Sequence, residues 1–96
     1  MTPEGKVKEK VREILKRCGA QYFMPSAGVY GRSGASDFIC CYRGVYIALE
    51  CKATAQDKPT RLQELFMKQV NAAGGRTFVI HAGNVSELEG AIHALG

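Results

Sequence analysis

The sequence predicts an α/β domain in which a mixed β-sheet is flanked by helices. Three observations carry that prediction. Apolar residues recur at helical spacing in three separate segments, 7–18, 62–73 and 88–95. Short apolar runs bounded by glycine or proline lie between them and read as strands. The strand–helix–strand step over residues 45–80 calls for a parallel crossover. The predicted order along the 96 residues is α-β-β-β-α-β-α, in a single domain spanning 1–96.

Each element has a local reason. Thr2-Pro3 starts the first helix, with a hydroxyl N-cap and proline at the first helical position. Val7, Val11, Ile14, Leu15 and Cys18 form its apolar stripe, and Gly19 ends it. Gln21-Tyr22-Phe23-Met24 is a short strand stopped by Pro25. Residues 26–35 form a glycine-rich loop containing Gly28, Gly31 and Gly34. Asp37 to Tyr42 and Val45 to Lys52 read as two strands around Arg43-Gly44. A polar loop over 53–58 leads to Thr60-Arg61-Leu62-Gln63, which has capping-box spacing. The helix that follows places Leu62, Leu65, Phe66, Val70 and Ala73 on one face and closes at Gly74-Gly75. Thr77-Phe78-Val79-Ile80 is the fourth strand. Asn84-Val85-Ser86-Glu87 reads as a second capping box, opening a last helix with Leu88, Ala91, Ile92 and Leu95.

Bulk properties narrow the function. No run approaches the roughly 20 apolar residues of a membrane span. Residues 1–6 lack the apolar segment of a signal peptide, so an intracellular protein is expected. None of the four cysteines (Cys18, Cys40, Cys41, Cys51) forms a C-x-x-C pair, so they read as small buried hydrophobes. His81 and His93 lie at no ligand spacing from a cysteine and read as packing or surface residues. The net charge is +4, and six of the 13 basic residues fall between Lys6 and Arg17. Such a balance points to a polyanion, most often nucleic acid, although a basic helix is also an ordinary solvated surface.

The chemistry concentrates at Asp37 and at Glu50-Cys51-Lys52. With the hairpin centred on Arg43-Gly44, Tyr42 faces Val45, Cys40 faces Ile47 and Asp37 faces Glu50. Opposed residues on an antiparallel pair stand about 4.5–5.5 Å apart, and two carboxylates there repel. A hard divalent cation taking oxygens from both would compensate. Lys52 is on the same face as Glu50, where it neutralises the acids or holds a substrate anion. Cys51 points to the other face, leaving only its backbone carbonyl for a metal. The plainer reading is a salt bridge between Lys52 and one acid.

At these residues the sequence resembles the PD-(D/E)XK nuclease superfamily, and within it the VRR-NUC branch. The resemblance is carried by Gly31-Arg32-Ser33-Gly34-Ala35-Ser36-Asp37-Phe38, Leu49-Glu50-Cys51-Lys52, Lys58-Pro59-Thr60-Arg61-Leu62-Gln63 and Ala72-Ala73-Gly74-Gly75. It covers nearly the whole chain and departs at Ser36, where the superfamily's name places proline. It implies a restriction-endonuclease-like core. It also implies a metal-dependent endonuclease that hydrolyses phosphodiester bonds in DNA with Mg²⁺ or Mn²⁺. Asp37, Glu50 and the Cys51 carbonyl would hold the metal. Lys52 would orient the attacking water or stabilise the growing charge, and Gln63 matches the family's glutamine. Gln63 also fits a plain capping-box role with Thr60. The family has a glutamate on the first helix. Of Glu4, Glu9 and Glu13, only Glu4 falls between Val7 and Val11 on the buried stripe, although an N-terminal acid also suits the helix dipole.

Stand-alone members of this branch are associated with homodimers that cut branched DNA such as four-way junctions. Lys6, Lys10, Arg32, Lys58 and Arg61 are then the expected phosphate contacts. Tyr22, Tyr30 and Tyr46 read as packing residues rather than base-stacking platforms. Two competitors stand beside this reading. One is a non-catalytic basic nucleic-acid-binding module. The other is a small structural protein with an ordinary ion pair at a strand end.

Overall fold

A computed structural model describes residues 1–26 and 33–95. Arg32, Tyr30 and the loop glycines Gly28 and Gly31 lie outside the described residues. Helix α1 spans Pro3–Cys18, and the Thr2 hydroxyl accepts from the Gly5 N–H as its N-cap. Gly19 closes it in the left-handed conformation that glycine adopts without steric cost.

Strands β1 (Gln21–Phe23), β2 (Phe38–Tyr42), β3 (Val45–Cys51) and β4 (Arg76–Ile80) form one sheet in that spatial order. The first two pairings are antiparallel and β3–β4 is parallel, so the mixed sheet and its crossover are as the sequence predicts. Tyr42 faces Val45 and Cys40 faces Ile47, the expected register. The β2–β3 turn has positive φ at Arg43 (49°) and Gly44 (82°), the twist that joins two tightly connected strands.

Alternation along β3 sorts the layers. Ile47, Leu49 and Cys51 join Val7, Val11, Leu15, Leu88 and Ile92 in the main core beneath α1 and the C-terminal helix. Ala48 and Ile39 face the other way, against Phe66 and Val70 of α2 (Arg61–Ala72). Cys51 therefore packs in the core, and burial pushes its thiol up to about 12. Among the described residues no helix is long and apolar enough to cross a membrane.

Three expectations are corrected. First, Leu62, Leu65 and Ala73 are exposed, and the buried residues of α2 are Phe66, Met67 and Val70. Gln63 lies on that same inward ridge, three, four and seven residues before them, so the polar residue takes the inward place in the first turn. Second, Asn84 does not cap a helix. Its side chain accepts from the His81 N–H and donates to the Val79 carbonyl. A 3₁₀ turn over Val85–Glu87 then precedes a short α3, Leu88–His93. Third, the four cysteines are not all buried: Cys40 and Cys51 are, but Cys41 alternates outward on β2 and is exposed, and Cys18 at the end of α1 is half-buried.

Candidate active site

The site forms where β3 ends, β2 begins, and α1 and α2 both start. The last strand pair is Phe38 with Leu49, so Asp37 stands just outside the ladder. It is not simply opposite Glu50. Its Oδ2 accepts the Cys51 N–H at 2.7 Å, in the place of a backbone bond. The N–H and C=O of one strand residue project to the same side. The Cys51 carbonyl is therefore directed to the Asp37 side, while Lys52 N–H bonds to Ile80 across the other.

Glu50 is only 2% exposed. Its Oε2 accepts from Gln63 Nε2 at 3.1 Å and lies 3.8 Å from Lys52 Nζ. Its Oε1 is buried without a partner among the described residues. Burial first, then hydrogen bonding with Asp37 and its charge, push the Glu50 carboxyl up to about 8 against the pull of Lys52. A buried carboxylate oxygen left unbonded is costly, and two acids with a free oxygen and a carbonyl beside them are the donor set of a hard cation. The residues therefore fit a divalent metal of the Mg²⁺ type.

Gln63 binds this group together. Its Oε1 accepts from Lys52 Nζ at 3.1 Å and from the Thr60 N–H at 2.8 Å, and its own N–H bonds the Thr60 hydroxyl. The capping box and the site contacts use the same side chain, so neither sequence reading of Gln63 excludes the other. The lysine–acid salt bridge of the plainer reading is also present, within this larger network.

From α1, Glu4 reaches the site through Lys8. Lys8 Nζ lies 3.4 Å from Glu4 Oε2 and 3.4 Å from Asp37 Oδ1. Burial disfavours the Lys8 charge, but Asp37 and Glu4 outweigh it and its pKa is raised. Glu9 pairs with Arg12 at 2.6 Å instead. Lys8 is the residue that sequence reasoning missed. The signal was available, because four residues after Glu4 a side chain shares its helix face. Ser36, buried beside Asp37 with a hydroxyl that has no partner among the described residues, is a second.

Lys6, Lys10, Lys58 and Arg61 are exposed, and none makes an ion pair among the described residues. Lys6 and Lys10 share α1 with Glu4 and Lys8, and Lys58 and Arg61 flank the start of α2.

No protein-family model matches the chain, and no curated protein matches it. A solved structure of a VRR_NUC domain is similar to it, with a TM-score of 0.81 and 29% identity over 92% of this chain and 95% of that one. The likeness covers 92% of a chain in which Asp37, Glu50, Lys52 and Gln63 stand together at one end of the sheet. In fold and in this arrangement of residues, the chain is similar to a VRR_NUC nuclease domain.

Proposed function

We propose that this chain is a divalent-metal-dependent endonuclease that hydrolyses phosphodiester bonds in DNA. We also propose that it selects branched structures such as four-way junctions and acts as a homodimer. The observation that carries the reading is the buried Glu50 carboxyl beside Asp37, its Oε1 without a donor among the described residues, grouped with Lys52 and Gln63.

Asp37, Glu50 and the Cys51 carbonyl are the groups that would hold the metal. Bound there, Mg²⁺ or Mn²⁺ supplies a water of lowered pKa and polarises the scissile phosphate. Lys52 keeps its ammonium beside Glu50, where it orients the attacking water or stabilises negative charge growing on the phosphate. Gln63 fixes Lys52 and Glu50 relative to each other. Lys8 offsets the charge of Asp37 and Glu4.

Lys6, Lys10, Lys58 and Arg61, with Arg32 from the sequence reading, supply phosphate contacts blind to base identity. Exposed Phe23, Tyr46, Leu62 and Leu65 offer apolar surface for a second copy. A two-fold dimer carries two sites, which suits cutting two strands of a symmetric junction.

The test is cleavage of labelled single-stranded, duplex, flap and four-way-junction DNA with Mg²⁺, Mn²⁺ or chelator, beside Lys52→Ala. Metal-dependent cutting of the junction, lost in the variant, is expected. Binding without cutting in either metal would replace this reading with the non-catalytic module.

A further inference from the structure

Cys18 is the last residue of α1, and Glu89 and His93 are four residues apart on α3. That spacing puts the two α3 side chains on one face. One donor atom from each of the three residues lies within 4.8 Å of the other two. Sulfur, imidazole nitrogen and carboxylate oxygen are all zinc ligands. In a tetrahedral zinc site such donors stand roughly 3.5 Å apart, so a small side-chain adjustment closes the set.

The surroundings hold the donors ready. Arg17 Nε and Nη2 donate to Glu89 Oε1 at 3.0 and 2.8 Å, with Oε2 unpartnered among the described residues. Hydrogen bonds from Arg17 hold the Glu89 carboxyl below its usual range, so it is an anion at neutral pH. The His93 ring stands beside Tyr42, with centroids 6.2 Å apart. The C-terminus of α1 adds the negative end of a helix dipole, which favours a cation.

We propose that Cys18, Glu89 and His93 form a second metal site, separate from the nuclease site, that takes a divalent cation of the zinc type. Water completes its coordination. Thiolate and imidazole select such an ion over Mg²⁺, so the two sites sort two metals by ligand softness. The bound ion staples α3 to α1. Helix α3 has six residues and no side-chain cap, too short to be stable by itself, so this link across residues 18–93 contributes directly to holding the C-terminal element.

Cobalt(II) titration of the untagged, metal-stripped chain tests this. One equivalent is expected to give a thiolate-to-cobalt charge-transfer band that Zn²⁺ displaces and Mg²⁺ does not. Cys18→Ser should abolish the band. Cys41→Ser, at the exposed thiol, should keep it. Zn²⁺ should raise the Tm of Asp37→Asn, and leave that of the double variant Asp37→Asn, Cys18→Ser unmoved. Should Cys18→Ser fail to fold, His93→Gln, at an exposed position, should weaken Zn²⁺ at least tenfold with the metal-free Tm unchanged. A band that survives Cys18→Ser, or the lack of a one-equivalent band, would overturn the proposal, as would unchanged Zn²⁺ affinity in His93→Gln.

Discussion

Gln63 is one side chain meeting two demands. It completes the N-terminal cap of α2 and also joins Lys52 to Glu50. Gln63→Ala leaves Glu50 Oε2 and the Thr60 N–H short of partners, a loss of about 1–2 kcal/mol by the usual cost of such groups. Urea unfolding checks that figure. Cleavage kinetics should show a lower kcat at little-changed KM, because the residue positions the reacting groups rather than binding DNA. Glu50 sets a second expectation. An unfolded glutamate titrates near pH ~4.3, whereas the folded carboxyl is pushed up to about 8. Between those values the folded chain keeps a proton that the unfolded chain has released. The Glu50 contribution is therefore full below the unfolded value and is lost as pH rises towards the folded one. Its slope is at most about 1.4 kcal/mol per pH unit for one proton. In chelator, the urea midpoint of the wild type should fall relative to that of Glu50→Gln between pH 5 and 8, and saturating Mg²⁺ should shrink the difference. A relative rise over that window would contradict the burial argument.

At the scale of elements, the start of α2 is held from outside by the loop before β2. Gly34 has φ +81°, and a Cβ there would come 2.6 Å from the Leu62 backbone. Gly34→Ala should therefore cost about 2 kcal/mol or more, from strain and clash together. It should also depress cleavage beyond the loss of folded protein, because the displaced turn carries Gln63. Gly44, at φ +82° with open space around it, is the control. Gly44→Asn should cost well under half as much, since asparagine tolerates the left-handed region. Urea midpoints of the two variants make the comparison. These elements also show what the sequence makes legible. The β2–β3 register, the crossover to β4 and the caps of α1 and α2 follow from short-range patterns, and each is found where the pattern puts it. The rotation of α2 was not legible, because Leu62 and Leu65 outvote Gln63 in any count of apolar residues. Only the need to satisfy buried Glu50 turns the polar residue inward. Asn84 misleads for a similar reason. Its spacing to Glu87 is right for a cap, but the nearer His81 N–H and Val79 carbonyl take its side chain.

Across the whole molecule, charge is separated by role. The acids Asp37 and Glu50, with Lys8, Lys52 and Gln63, are drawn into one network at the end of the sheet. Lys6, Lys10, Lys58 and Arg61 stay in solvent, on α1, on the approach to α2 and at its start. Their number and exposure were readable from the sequence. The spacing of Lys8 from Glu4 was readable too, but its contact with Asp37 was not, because only the fold brings α1 against Asp37. That distinction yields a test. A lysine or arginine that neutralises one phosphate contributes about 0.9 to the slope of log K against log salt on duplex DNA. Lys6→Ala, Lys10→Ala, Lys58→Ala and Arg61→Ala should each weaken binding to every DNA in the panel by a similar factor and reduce that slope by about one. The ranking of junction over duplex should survive, because these contacts read backbone and not structure. Lys8→Ala should behave differently. It unmasks Asp37 and Glu4 to each other, so its effect should fall on divalent-metal affinity, read by calorimetry without DNA, with little change in the salt slope. If Lys8→Ala lowers the salt slope like the others and leaves metal affinity unchanged, Lys8 belongs to the phosphate-binding surface and not to the acid network.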